Sequence, residues 1–397
     1  RWCNRAKVIC GVNIVLNLGI LCIYKYYNFF ASQLAMLLGV ETDAFMLHLV
    51  LPVGISFYTF QALSYSIDVC RAKIEPTSNF VAFAAFISFF PQLVAGPIER
   101  ATNLLPQFLR YRTFDYVQAS DGMRQILWGL FKKMVVADTC AETANYVFAE
   151  FQHQQFSSLF LVVGAVAFAF QIYGDFSGYS DIAIGTAKLF GIKLRQNFSV
   201  PYFSRSVAEF WRRWHISLSR WFADYLYIPL GGSRRGWKRQ LAATLLVFAV
   251  SGLWHGADWT FLAWGLLHGV YMLADILWRR RRRPIPPALG LPLTYIAVTF
   301  AWIFFRAGSL ARAWLLMGQL FSPWDLRAGL TLLGMGLPEL LWLLLALAQS
   351  PLLHRLTEEE TPPPPDMVCV YLLLACALAF LIRAAQNSPS AFIYFQF

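Results

Sequence analysis

Apolar runs of about 20 residues recur along almost the whole chain, and that is the length an α-helix needs to cross the hydrocarbon core of a bilayer. Ten such runs can be read, roughly 8–30, 46–67, 79–97, 124–147, 157–176, 240–255, 258–278, 291–306, 329–349 and 367–383. Only 14% of the 397 residues are charged. A soluble domain carries about 25%. The deficit is spread over the whole length, so the chain is not a soluble domain with one anchor. The expectation is an all-α, polytopic integral membrane protein of about 10–11 transmembrane helices with in-plane and re-entrant pieces. No linker divides it, and residues 1–397 are read as one membrane domain. The chain opens at Arg1 without an initiator Met or a signal-peptide pattern, so the natural N-terminus is expected to be missing.

Pro52, Gly54, Pro91, Gly96 and Pro97 interrupt helices at membrane depth. Backbone freed in this way is tolerated only where protein or a water-filled cavity covers it, so re-entrant segments are expected. The net charge of +11 fits basic residues gathered on cytoplasmic loops and not a nucleic-acid surface, because the basic runs lie between spans. The seven cysteines show no metal-ligand spacing, so neither a disulfide framework nor a metal site is expected. Arg234, Arg235, Lys238 and Arg239 precede one apolar stretch, and Arg279 to Arg283 follow it. With both clusters in the cytoplasm, residues 240–278 must leave and return. Residues 307–328 then form a surface segment with Trp314, Leu315, Leu316 and Phe321 on an interfacial face. Residues 354–366 form a cytoplasmic loop, and the last span delivers the C-terminus outside.

Within the outward pass stands Ser251-Gly-Leu-Trp-His-Gly-Ala-Asp-Trp259. An ionisable group at membrane depth is a candidate for function, and histidine suits proton transfer near neutral pH. By straight-helix arithmetic His255 lies about 22 Å from the cytoplasmic edge. Asp258, three residues on, orients its imidazole if the helix continues. Gly252/Gly256 and Gly265/Gly269 have the spacing that lets helices approach closely. His268 reads as a satisfied core histidine.

Residues 205–225 form an amphipathic pattern. Trp211, Trp214, His215, Leu218, Trp221, Phe222 and Tyr225 share one face, while Arg205, Arg212, Arg213, Ser219 and Arg220 share the other. Two readings stay open: an in-plane helix gripping anionic lipid, or the wall of a cavity mouth whose arginines meet the phosphates of a donor. The segment Gly174-Asp-Phe-Ser-Gly-Tyr-Ser-Asp-Ile-Ala-Ile-Gly185 reads either as a polar helix break or as a loop in which Asp175, Tyr179 and Asp181 position the reactive region. No GxSxG elbow, HExxH helix or Walker loop occurs, which removes support for a serine hydrolase, a zincin or a nucleotide-driven pump.

At these residues the chain resembles the membrane-bound O-acyltransferases, and among them the bacterial branch that includes the membrane subunit of alginate O-acetylation. The resemblance rests on Leu51-Pro-Val-Gly-Ile-Ser-Phe-Tyr-Thr-Phe60, Gln92-Leu-Val-Ala-Gly-Pro-Ile-Glu-Arg100, the 174–185 segment, Phe210-Trp-Arg-Arg-Trp-His215, Tyr225-Leu-Tyr-Ile-Pro-Leu-Gly-Gly232, Gly252-Leu-Trp-His-Gly256 and the terminal Phe392-Ile-Tyr-Phe-Gln-Phe397. It implies helices around a central tunnel between a cytoplasmic and an outer funnel. It maps one catalytic histidine onto His255 and a second, histidine or asparagine by branch, onto His215.

The expected activity is acyl transfer across a bacterial cytoplasmic membrane. The donor is acetyl-CoA or another acyl thioester, a substrate and not a bound cofactor. The acceptor is a polysaccharide, reached through a secreted, SGNH-type partner acyltransferase. Donor or tunnel contacts are expected from Arg212, Arg213, Trp211, Trp214, Asp175, Tyr179, Asp181, Trp254 and Asp258. His215, on a surface helix, is assigned to donor positioning or a proton relay and not to the atom that His255 touches. The alternatives are D-alanyl transfer to teichoic acid from a carrier protein and a sugar transporter. A transporter predicts repeated halves, and none is evident.

Overall fold

The computed structural model describes residues 2–41, 43–150, 158–281 and 285–321, and their regular structure is all helix, with no strand among them. In chain order the helices are α1 (Trp2–Leu21), α2 (Tyr27–Leu38), α3 (Ile55–Cys70), α4 (Phe80–Ser88), α5 (Phe90–Leu93), α6 (Ala101–Leu109), α7 (Tyr116–Phe131), α8 (Asp138–Glu150), α9 (Ser158–Leu189), α10 (Val207–Arg213), α11 (Ile216–Phe222), α12 (Trp237–His255), α13 (Trp259–Arg280), α14 (Pro287–Arg306) and α15 (Leu310–Gln319). Three π-turns, Cys22–Tyr26, Lys132–Ala137 and Ala223–Tyr227, join α1 to α2, join α7 to α8 and extend α11. Four helical stretches are long and apolar enough to cross a membrane: Arg5–Leu38, Ser158–Leu189, Trp259–Arg280 and Pro287–Arg306. The runs at 329–349 and 367–383, the loop at 354–366 and the terminal 392–397 motif lie outside the described residues.

Several elements differ from the sequence pattern. The 79–97 run splits at Phe89, whose extended backbone (ψ 98°) separates α4 from the short α5, with Pro91 in the first turn of α5. Segment 174–185 is neither a break nor a loop, because α9 runs through it without interruption. Its glycines serve packing. A Cβ on Gly178 would stand 2.7 Å from the Gly129 carbonyl oxygen, and one on Gly122 would stand 2.7 Å from that of Gly185. The two pairs are seven residues apart on each helix, two turns, so α7 and α9 touch backbone to backbone twice along one face. The charges of the segment are neutralised across this seam: Lys133 meets Asp175 at 2.9 Å and Lys132 pairs with Asp181.

Residues 205–225 do not form one surface helix. Ser206 caps α10, accepting from the Glu209 N–H at 3.2 Å, and the Glu209 carboxylate accepts from the Arg205 N–H at 2.8 Å. After Arg213 the chain kinks, with His215 in a left-handed conformation (φ 42°, ψ 55°), and α11 starts in a new direction. The aromatic face is buried as the periodicity requires, but protein covers it: Trp211 lies 5.9 Å from Trp264, and Trp214 lies 5.2 Å from Trp302. On α15, Trp314 and Leu315 are exposed as expected, as is Phe321 just beyond it, whereas Leu316 is buried.

The basic ends of α12 and α13 share one side, as the charge pattern requires: the Arg280 guanidinium sits 5.7 Å over the Trp237 ring. Arg279 donates to Ser206 at 2.8 Å, which brings the start of α10 to that side. The other end of α9 lies beside α15, where Ser158 donates to the Gln319 carbonyl at 3.1 Å. The Leu189 end of α9 therefore faces the basic side, and His255, at the last turn of α12, faces away from it.

Candidate active site

Two cavities lie on opposite sides of a buried aromatic row. The first, of about 390 Å³, opens between α7, the second half of α9 and residues 194–200, on the side of the basic helix ends. Arg124, Lys132, Asp181, Lys188, Ser177 and Asn197 are among its walls. Lys132 and Gln125 hold Asp181, and Lys188 pairs with Asp121, so the wall is polar and its charges are arranged in pairs. The 194–197 stretch is tied down by Glu99, which accepts from the Arg195 N–H and, at 2.8 Å, from the Asn103 amide. Burial raises this carboxyl above its ordinary value, and those two donors oppose the shift.

Asn197 is the link from this cavity to the interior. Its Oδ1 accepts from the Ser217 hydroxyl at 2.8 Å and from His215 Nδ1–H at 3.1 Å. That bond leaves the His215 lone pair on Nε2. His215 has no exposed surface, and its ring lies 4.6 Å edge-on from Phe176.

The second cavity, about 240 Å³, lies at the far end of α12. Its walls include His255, Trp254, Lys25, Gly54, Ser56 and Val94. α12 stops at His255, and Gly256, its extended cap, turns the chain away. His255 Nδ1–H donates to the Ser251 carbonyl at 2.7 Å, one turn back, so Nε2 carries the lone pair. This wall is braced from α9: the Tyr179 hydroxyl bonds the backbone of Val94, and Ser180 donates to the Ala95 carbonyl at 3.5 Å.

Trp254 stands between the two histidines, 6.1 Å from the His215 ring and 5.0 Å from that of His255. The imidazoles are therefore separated by one indole and not by the depth of a membrane leaflet. The separation inferred from the sequence fails because 205–225 is not on the surface. The row continues through Trp264, 4.9 Å from His255 and 5.0 Å from His268. Among the described residues His215 Nε2, the Trp254 indole N–H and both nitrogens of His268 are buried without hydrogen-bond partners, so His268 is a core residue but not a satisfied one.

The remaining candidates scatter. Asp258 does not orient His255; it caps α13, accepting from the Thr260 N–H at 2.7 Å. Arg212 is exposed, Arg213 pairs with Glu209 at 2.7 Å, and neither lines the two cavities. Asp175 lies in the α7–α9 seam, and Trp211 and Trp214 belong to the aromatic core. Sequence reasoning missed Asn197, which carries no motif. It also missed Lys25, whose signal was present: a lysine inside the first apolar run. No group of three His, Cys, Asp or Glu side chains among the described residues is arranged to hold a metal ion.

The sequence matches the model of the membrane-bound O-acyltransferase family over residues 7–316. It is 40% identical over 344 residues to a probable alginate O-acetylase of Pseudomonas aeruginosa, an alignment covering 84% of this chain and 65% of that protein. It is 37% identical over 426 aligned positions to the probable alginate O-acetylase of Pseudomonas putida, covering all of this chain and 84% of the relative. A peptidoglycan O-acetyltransferase of Helicobacter pylori is 36% identical over 332 residues, 76% of this chain and 62% of that protein. The chain thus spans less than two thirds of the length of two of these relatives.

Proposed function

The chain belongs to the membrane-bound O-acyltransferase family, and from that premise we propose that it moves an acyl group, acetyl by the names of its relatives, from a thioester donor on the basic, cytoplasmic side to an acceptor hydroxyl on the other. The observation that carries this reading is the pair of cavities on either side of His215, Trp254 and His255. The donor, acetyl-CoA, enters the 390 Å³ cavity, whose Arg124, Lys132 and Lys188 suit its phosphates. This moves the donor contacts from Arg212 and Arg213 to α7, the π-turn that follows it, and α9. The thioester reaches past His215 and is positioned by its Nε2, a reading supported by the lack of any other partner for that buried atom among the described residues.

The acceptor hydroxyl occupies the 240 Å³ cavity, where His255 Nε2 takes its proton as the C–O bond forms. The C–S bond breaks, and the same proton returns to the leaving thiolate, so the imidazole ends neutral. General-base assistance of this kind is worth about 10²–10⁴ in rate. A polysaccharide is the acceptor class, with a secreted SGNH-type acyltransferase completing the transfer at a bacterial cytoplasmic membrane.

Inside-out vesicles supplied with radiolabelled acetyl-CoA test this. Label should appear on the extracytoplasmic acceptor and fall by about 100-fold or more in His255→Ala at equal protein level. Full transfer by His255→Ala removes the base. Labelling only from a D-alanyl carrier protein transfers the reading to teichoic acid chemistry.

A further inference from the structure

The last three carbonyls of α12 belong to Leu253, Trp254 and His255, and the end of a helix leaves such groups without partners inside it. The cap of α12 supplies one weak bond, Gly256 N–H to the Gly252 carbonyl at 3.4 Å. The donors for the other three come from the far end of the sequence. Tyr26 Oη donates to the Leu253 carbonyl at 2.8 Å. Lys25 Nζ donates to the Trp254 carbonyl at 2.6 Å and to that of His255 at 3.3 Å, with Ser56 Oγ at 3.4 Å.

Both side chains project from the π-turn Cys22–Tyr26. Neighbours on a regular helix diverge by about 100°, yet these two reach consecutive carbonyls of one helix end; π-turns inside helices are frequent at functional sites. A lysine in a membrane-crossing helix is costly and needs a partner. This one has three, sits where the negative end of the α12 dipole would attract a cation, and among the described residues is the one charged side chain lining the 240 Å³ cavity.

We propose that Lys25 and Tyr26 are positioning residues for His255: they fix the final turn of α12, and with it the imidazole, against the acceptor cavity. The inference rests on the assignment of His255 as base. A structural brace alone would change how much protein folds. A positioning clamp changes turnover per folded molecule, because displacement of a catalytic group by about 1 Å costs about 100-fold.

The test is a steady-state comparison in proteoliposomes of wild type, Lys25→Met, Lys25→Arg, Tyr26→Phe and His255→Ala, each normalised to folded protein. Lys25→Met should lower kcat by about 10- to 100-fold while leaving the donor KM within about twofold, and Lys25→Arg should recover part of the loss. Tyr26→Phe should lower kcat by a smaller factor. A wild-type kcat in Lys25→Met overturns the clamp. If that variant does not accumulate, Tyr26→Phe decides: a reduced kcat supports the clamp and a wild-type kcat overturns it. His255→Ala separates the two levels. If it turns over normally, the base assignment falls and the clamp with it; if it is inactive beside a fully active Lys25→Met, only the clamp falls.

Discussion

His215 holds a left-handed backbone conformation (φ 42°, ψ 55°) with no surface exposed, a choice that costs a non-glycine residue about 1–2 kcal/mol. Asparagine tolerates this region better than most residues, so His215→Asn should keep the kink and melt within a few degrees of wild type in detergent. His215→Val, stiff at Cβ, should melt clearly lower. With the backbone unchanged, a loss of transfer in His215→Asn reports the imidazole alone, and about 10-fold or more is expected if Nε2 serves the donor. Asp258 gives the opposite contrast. As a cap of α13 it is worth about 1 kcal/mol, so Asp258→Ala should lower the melting temperature and leave turnover per folded molecule unchanged. A kcat defect in Asp258→Asn, which preserves the cap, would restore the orienting role expected from its spacing to His255. At this scale residue type was legible and surroundings were not. Histidine in an apolar run announces proton chemistry, but a periodic aromatic face looks the same whether lipid or protein covers it, and that ambiguity misplaced His215.

The helix pair α7–α9 fixes the wall of the first cavity through glycines. Gly178→Leu or Gly185→Leu would drive a side chain into the opposing backbone, which cannot move aside as a flexible side chain can. Overpacking of this kind costs about 1–3 kcal/mol, and separating the helices would also pull Lys132 from Asp181. The expected result is a lower melting temperature together with weaker donor binding. Gly19→Ala is the control: a Cβ there meets nothing within 4 Å, and the substitution should stabilise α1 by about 0.5–1 kcal/mol. A neutral Gly178→Leu would mean that the seam does not set the cavity. The same glycines explain one misreading. Gly and Asp together signal a turn in water, but in a buried helix Gly permits close approach and Asp finds lysines across the seam. Where small residues recurred at i, i+4, the spacing was read correctly: a Cβ on Gly252 would stand 3.2 Å from the Gly265 Cα, so α12 and α13 do meet there.

For the whole molecule, the basic clusters set the direction of the transfer proposed above. Arg280 over Trp237 places both basic ends of the α12–α13 hairpin together, and the 16 residues from Arg239 to His255 carry the chain about 24 Å away from them. Positive charge is generally retained on the cytoplasmic side, and on the proposed reading the 390 Å³ cavity faces the cytoplasm and the His255 cavity faces outward. Single cysteines in a background with the native seven replaced by serine read this orientation. With a membrane-impermeant maleimide, Ala257→Cys, in the turn beyond His255, should label in intact spheroplasts. Lys238→Cys, exposed at the basic end, should label only after permeabilisation. The reverse pattern would put the proposed donor cavity outside, where no acyl-CoA is supplied, and transfer in the direction proposed would be impossible. Protection of Lys238→Cys by coenzyme A would not be expected, because Lys238 does not line the proposed donor cavity; a Gln196→Cys substitution inside it, at a residue given no part in binding, should be protected.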